Sequence, residues 1–389
     1  MTPNNIPQGY KATALGIIPQ EWEVKRIKDF GPVITGSTPS TLDSENYGGR
    51  YMFVSPADLS EDAKYIMTTE KTLSDKGYSQ ARRIPKGSIM FTCIGSTIGK
   101  IGIASQDLAT NQQINSIVTN GEYLFYALSF QSNRIKILAN EQAVPIINKS
   151  DFERIKVAFP PLAEQRKIAE VLGVWDEAIE KQARLIEKLA LRKRALMQRL
   201  LSAKHRLPSF SEPWKEQKIN KITTIKKGEQ VNKDVLFSNA KYPVINGGIT
   251  PSGYLDTYNT KANTITISEG GNSCGYVNFM TTPFWSGGHC YTIDAKDGIN
   301  NLFIYQLLKN NEKYIMSLRV GSGLPNIQIK DLGNIKFMIP TYQEQTAIAE
   351  VLTAADREIE LAKEKLERLR RQKRGLMQQL LTGKKRVKY

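Results

Sequence analysis

The segment Glu164–Leu172 reads EQRKIAEVL, and Glu344–Leu352 reads EQTAIAEVL. The two agree at seven of nine positions and stand 180 residues apart in a chain of 389. The match extends in both directions. VPIINKSDFERIKVAFPPLAEQ (Val144–Gln165) aligns with LPNIQIKDLGNIKFMIPTYQEQ (Leu324–Gln345), and RKRALMQRLL (Arg192–Leu201) aligns with RQKRGLMQQLL (Arg371–Leu381). A period this long rules out a solenoid. It is the length of a domain plus a helix, so the chain reads as an internal duplication.

Each copy ends in an apolar segment, a proline and about 40 residues of helical pattern. In the first copy Ile168, Leu172, Trp175, Ile179, Gln182, Ile186, Leu189, Lys193, Leu196 and Leu200 follow alternating steps of four and three. In the second, Ile348, Leu352, Ala355, Ile359, Ala362, Leu366, Leu369, Lys373, Leu376 and Leu380 do the same. Sustained over several heptads, this is a coiled-coil seam. A helix of that length extends about 60 Å and cannot bury its stripe in one small domain, so the two stripes are expected to bury each other. Chain connectivity favours an antiparallel pair. If the segment between the helices is one compact domain, its ends lie close together. The expected fold is a dumbbell: α+β, with two strand-rich heads in pseudo-two-fold arrangement, separated by two long antiparallel coiled-coil helices. The helix ends are basic (Arg192, Lys193, Arg194, Arg199; Arg368, Arg370, Arg371, Lys373, Arg374) and the starts acidic (Glu170, Asp176, Glu177, Glu180; Glu350, Asp356, Glu358, Glu360). Antiparallel pairing sets one beside the other and suits the helix dipoles; direct phosphate contact is the competing use of the basic clusters. Lys193 and Lys373 take equivalent seam positions, where a lysine either fixes register or snorkels to water.

The net charge is +16, from 54 basic and 38 acidic residues. That excess favours a polyanionic partner, nucleic acid first, over a merely well-solvated surface. Cys93, Cys274 and Cys290 form no CxxC pair, and the only histidines are His205 and His289. Neither a disulfide framework nor zinc or histidine catalysis has the residues it needs. No apolar run approaches the ~20 residues that span a bilayer, and MTPNNIPQGYK lacks the apolar core of a signal peptide. A reducing cytoplasm is the expected home.

The heads read as strand-rich. Head one has RYMFVSPADL (Arg50–Leu59) and GSIMFTCIGSTIGKIGI (Gly87–Ile103); head two has YPVINGGITPSGYLD (Tyr242–Asp256) and NTITISEGGNSCGYVNF (Asn263–Phe279). Each has a later helical stretch, Glu122–Leu138 and Asn301–Leu318. GSTIGK (Gly95–Lys100) fails as a phosphate loop: three residues separate its glycines, and Ile101 follows the lysine. SEGGNSCG (Ser268–Gly275) takes its place in head two without a lysine. Asp62-Ala63-Lys64 and Asp294-Ala295-Lys296 resemble a nuclease fragment at a level that chance supplies in a chain 24% charged. There is no Asn/Asp-Pro-Pro-aromatic motif and no Gly-rich dinucleotide loop. The residues therefore describe two similar heads, a spacer and a basic surface without visible catalytic apparatus. Bipartite DNA recognition fits these features, with contact centres one or two helical turns apart, ~34 Å each.

With these residues in hand, the chain resembles the specificity subunit of type I restriction-modification systems. PPLAEQRKIAEVL, PTYQEQTAIAEVL, KRALMQRLL and KRGLMQQLL match that family's repeated helical region. GSTPSTLDSENYGGRYMFVSPADLSE (Gly36–Glu61), IGKIGIA and NQQI (Asn111–Ile114) resemble its target-recognition domain, and NGGITPSGYLDTYNT and PFWSGG (Pro283–Gly288) resemble a second subtype. Tyr47 and Met52-Phe53 stand where the family often has tryptophans. The resemblance implies target-recognition domain 1 at 1–158, a spacer helix at 159–203, target-recognition domain 2 at 204–338, and at 339–389 a second spacer helix with a basic tail. It implies a non-catalytic subunit that binds double-stranded DNA and docks two adenine methyltransferase subunits, and with them restriction subunits. S-adenosylmethionine, ATP and magnesium would belong to those partners, with no cofactor or metal in this chain and no membrane.

Base edges are read by polar side chains on loops. The candidates in head one are Ser37, Thr38, Ser40, Arg50, Ser96, Thr97, Lys100, Asn111 and Gln112. In head two they are Asn246, Thr250, Ser252, Tyr254, Asn272, Ser273, Ser286 and His289. Each is equally at home as a solvated turn residue. Val171, Ala178, Leu185, Val351 and Leu361 lie beside the seam; they either dock the methyltransferase or widen the helix pair. Two other readings compete: a coiled-coil scaffold whose heads bind proteins, and a fused nuclease or methyltransferase with unseen motifs.

Overall fold

The structure, a computed structural model, describes residues 6–60, 62–119, 121–139, 144–321 and 325–388. Glu61 and Leu324, which close and open two of the segments quoted above, and Tyr389 lie outside them. The chain divides into two compact units, Met1–Leu185 with Ala362–Tyr389, and Ile186–Leu361. Both long helices form, at Leu162–Leu200 and Tyr342–Leu380, 39 residues each.

The heads share a strand frame. In head one, strands Val33–Thr35, Ile114–Ile117, Ile89–Thr92, Ile101–Ala104 and Tyr65–Ile66 lie in that order, antiparallel except for the last pair. In head two, Thr223–Lys227, Cys290–Ala295, Thr264–Ser268 and Val277–Met280 repeat the first four, all antiparallel. These strands are rich in β-branched residues, and Ile89–Thr92 and Thr264–Ser268 are buried along their whole length, as central strands covered on both faces must be. A second sheet differs between the heads. Head one adds Lys71–Leu73, Tyr47–Val54, Leu108–Thr110 and Arg83–Ile84; head two adds Gly253–Leu255, Tyr242–Ile245 and Trp285–Ser286.

One helix covers the frame in head one, Glu122–Lys136, burying Tyr123, Leu124, Tyr126, Ala127 and Leu128. The corresponding stretch in head two is broken into Asn301–Asn310 and Glu312–Ser317. Asn311 is the cause: its backbone leaves the helix (φ −101, ψ 14) and its side chain donates to the Leu307 carbonyl, 2.8 Å away.

In the first unit, Asp176 pairs with Lys373 and the Gln182 amide donates to the Ala362 carbonyl at 3.0 Å. Rising numbers on one helix meet falling numbers on the other, so the pair is antiparallel. In the second unit Lys193 pairs with Asp356 and Arg192 with Glu358, again antiparallel. The seam lysines do not snorkel. Their side chains are only 13% and 14% exposed, and each meets an aspartate of the opposite helix. Among the seam positions, Ile168, Leu172, Ile179, Leu189, Ile348, Leu352 and Leu366 are buried, and Ile186, Leu196, Ile359, Leu369 and Leu376 half-buried.

The helix ends belong to the head cores. Ile168, Leu172, Met377, Leu380 and Leu381 pack with Trp22, Phe91 and Phe152 in the first unit. Met197, Leu200, Leu201, Ile348 and Leu352 pack with Trp214 and Phe303 in the second. Each such side chain contributes about 1.5–3 kcal/mol by leaving water.

The repeated EQ now has a physical reason. Glu164, fully buried, accepts from Trp22 Nε1 at 2.9 Å and from Arg386 Nε and Nη2 at 2.6 and 2.8 Å. Glu344, also fully buried, accepts from Trp214 Nε1 at 3.1 Å and from Arg206 Nε and Nη2 at 3.0 and 2.6 Å. The next residue closes the turn: Gln165 donates to the Pro160 carbonyl at 2.7 Å and Gln345 to that of Pro340 at 2.9 Å. Each acid is a clasp that joins a helix start, a head tryptophan and an arginine just past the end of the other long helix. The chain turns out of those ends through left-handed residues, Ala203 (φ 60) and Gly383 (φ 70).

Candidate nucleic-acid interface

The same backbone crossing occurs in both heads. In head one, Cys93 N donates to the Gln113 carbonyl (2.8 Å), Ile147 N to that of Cys93 (2.8 Å) and Gly95 N to that of Pro145 (2.9 Å). In head two, Glu269 N donates to the His289 carbonyl (2.9 Å), Ile327 N to that of Glu269 (2.9 Å) and Gly271 N to that of Pro325 (3.1 Å). These bonds hold the turn Gly95–Lys100 in one head and Gly271–Tyr276 in the other. Gly99 (φ +96) and Gly275 (φ +89) end the turns in the left-handed region. A Cβ on Gly275 would stand 2.8 Å from the Met316 backbone, so the glycine is set by packing. The ammonium of Lys100 is spent on the Pro56 carbonyl, at 2.9 Å.

Around this crossing head one gathers amides and hydroxyls. Thr38 Oγ1 donates to Gln112 Oε1 at 2.5 Å, and Asn111 Nδ2 to Gln113 Oε1 at 2.9 Å. Ser37 Oγ accepts from the Arg82 backbone at 2.9 Å, while the Arg82 guanidinium holds the Thr35 carbonyl at 2.9 Å. Ser37, Thr38, Asn111 and Gln112 are thus brought together, with Ser96 exposed and Thr97 half-buried on the turn. Two candidates go elsewhere. Arg50 pairs with Asp75 at 3.0 Å, both highly exposed, and the Ser40 carbonyl is held by Asn46 Nδ2 at 3.0 Å.

Head two gathers charge. Glu269 Oε1 accepts from Lys227 Nζ at 2.6 Å and from the Tyr291 hydroxyl at 3.0 Å; Oε2 lies 3.4 Å from His289 Nδ1. Burial alone pushes this carboxyl up, but hydrogen bonds from Lys227 and Tyr291, the lysine's charge and the nearby His289 outweigh it, and it sits below the ordinary glutamate range. Burial first, then the neighbouring carboxylate, pushes the Tyr291 phenol up, so it remains a donor. Asn246 Oδ1 accepts from the His289 backbone at 3.0 Å. Asn272 is exposed and Ser273 half-buried on the turn. Ser286 is buried, and its backbone is bracketed by the Asn259 amide at 2.7 and 3.1 Å. Thr250, Ser252 and Tyr254 lie apart, on the connection and strand that follow Tyr242–Ile245.

Lys227, Glu269 and Arg82 were not singled out from sequence. Glu269 sits inside SEGGNSCG, the stretch that also supplies the candidates Asn272 and Ser273; its meeting with Lys227, 42 residues away, follows from strand pairing. Among the described residues no group of three or more His, Cys, Asp and Glu is placed to hold a metal ion, and Cys93, Cys274 and Cys290 are buried free thiols. Among the described residues no helix is long and apolar enough to cross a membrane. Leu185, Val351 and Leu361 are exposed beside the seam and Ala178 is half-buried, while Val171 packs on head one's core.

Two heads on one strand frame, each clasped by a long helix, define a duplicated recognition protein. The model of the type I restriction modification DNA specificity domain matches residues 19–190 and again 211–371, and the chain belongs to that family of specificity subunits. It is 28% identical over 373 residues to the type I restriction enzyme MjaIX specificity subunit of Methanocaldococcus jannaschii, covering 85% of this chain and 86% of that one. It is 35% identical over 157 residues to the putative type I specificity subunit S.MpnORF638P of Mycoplasma pneumoniae, covering 40% and 42%. Its fold is shared with the type I restriction-modification S subunit of M. genitalium at a TM-score of 0.65 and 21% identity, over 92% of this chain and 96% of that one.

Proposed function

We propose that each head reads one block of a split DNA target, and that the long helices set the gap between the blocks. The observation that supports this most strongly is the shared crossing with exchanged side chains. The same three backbone bonds present amides and hydroxyls in head one (Thr38, Asn111, Gln112) and a charged group in head two (Lys227, Glu269, His289). A conserved frame with different polar groups is what two readers of different base sequences require. Each 39-residue helix is about 58 Å long, more than one turn of DNA at ~34 Å.

In this reading the chain is a non-catalytic subunit in the cytoplasm. Two adenine methyltransferase subunits dock on the outer helix faces, where Leu185, Val351 and Leu361 are exposed, and restriction subunits join through them. S-adenosylmethionine, ATP and magnesium serve those partners. The basic excess of the chain favours DNA over protein as the heads' ligand. The test is Asn272→Ala, assayed in the methyltransferase complex by the sequence that becomes methylated. Only one half of the target should change; equal disturbance of both halves would refute the two-reader arrangement.

A further inference from the structure

Glu269 is an expensive residue to keep. Its side chain is 11% exposed, and Oε2 is buried without a well-aligned hydrogen bond. A desolvated carboxylate oxygen left so is costly. The backbone does not demand it, because head one makes the same crossing with an apolar thiol, Cys93. What the carboxylate does is hold one exposed side chain, Lys227, 53% exposed, and stand 3.4 Å from a second, His289, 62% exposed. The lysine sits at the end of strand Thr223–Lys227, and the histidine just before strand Cys290–Ala295, its partner in the sheet. Both leave the frame where its loops begin, beside Asn246 and the Gly287-Gly288 pair.

We propose that Lys227 is head two's guanine-reading side chain, and that Glu269 is the positioning residue that aims it. This rests on the half-site reading above. An ammonium carries donors only. Among base edges in the major groove, guanine alone offers two acceptors, O6 and N7, with neither a donor nor a methyl beside them. Adenine's and cytosine's amino groups would face the ammonium donor to donor. A free lysine loses much of its discrimination to rotamer freedom; one tied at 2.6 Å to a buried carboxylate arrives oriented. Head one's equivalent, with Asn111 and Gln113 amides, carries donors and acceptors and has no such bias.

The experiment uses the whole chain in its methyltransferase complex. The methylated motif is mapped for the wild type and for Lys227→Ala, Lys227→Arg and Glu269→Gln. The wild-type motif should contain a guanine in one block. Lys227→Ala should relax that single position, with discrimination falling about 10–100-fold. Lys227→Arg should keep guanine, and Glu269→Gln should relax the same position more weakly. The other block, unchanged throughout, reports that the complex is folded. An unchanged motif in Lys227→Ala overturns the proposal, as does uniform loss of methylation at every site, which would make Lys227 a phosphate contact. A wild-type motif that is not split defeats the half-site reading itself, whatever the variants do.

Discussion

Replacing Arg386 with alanine should loosen the first unit and leave the second intact. Arg386 stands just past the end of the second long helix, which closes at Leu380. Here its guanidinium grips Glu164 through two bonds, at 2.6 and 2.8 Å, and Glu21 at 3.0 Å. Glu164 has no exposure of its own. Without the arginine it keeps only the Trp22 bond and the favourable field of a helix start. Removing one partner of a buried charge pair costs about 3–5 kcal/mol. Arg386 is one-third exposed, so water replaces part of the lost interaction, and about 3 kcal/mol is the appropriate figure. For a unit of this size that lowers the melting temperature by about 6–12 °C. Calorimetry of the purified chain measures the loss. Amide hydrogen exchange locates it, with faster exchange expected around Trp22 and the start of the first long helix. Arg206→Ala is the internal control, because it removes the equivalent grip on Glu344 and should loosen the second unit only. A change below about 0.5 kcal/mol for Arg386→Ala, the range of an ordinary surface substitution, would refute the clasp.

Lys373→Met should cost about 3 kcal/mol, because it strands Asp176 beside the Tyr126 hydroxyl; adding Asp176→Asn should recover most of the loss, as urea unfolding of both variants would show. Ala203→Gly should stabilise the chain by about 1 kcal/mol, since alanine is strained at φ 60 where the equivalent residue is already Gly383; the same unfolding assay reads it. The Glu269 carboxyl is held below its unfolded value, so its contribution is fully present above the ordinary carboxylate range and is lost as pH falls through the lowered folded value. Glu269→Gln should therefore flatten the acid limb of the second unit's stability profile, measured by unfolding at stepped pH.

The long helices were legible because their seam repeats over several heptads, and such a pattern survives without tertiary context. Direction was legible too, through chain connectivity and the opposite charges at helix starts and ends. The structure adds the partners: Lys193 meets Asp356 and Lys373 meets Asp176, so both seam lysines are ion-paired. What the EQ pair does was not legible. Glu164's partners lie 142 and 222 residues away, and no local pattern encodes a tryptophan and an arginine at those distances. The break at Asn311 was missed because the apolar spacing continues across it. In the heads, strand pairing sets which polar residues meet. Thr38 finds Gln112 from 74 residues away, and Lys227 finds Glu269 from 42. Residue type alone selected the candidates. It gathered four of head one's into one group, scattered Arg50 and Ser40, and passed over Glu269 because buried carboxylates carry no periodic signal.

The central claim is that this chain supplies DNA specificity through two heads. Mapping methylated adenines across the source genome, with the gene intact and with it deleted, tests that claim most directly. One split motif, two short blocks around a fixed gap, should be methylated in the first strain and unmethylated in the second. An unchanged methylation pattern, with the partner methyltransferase expressed in both strains, would contradict it.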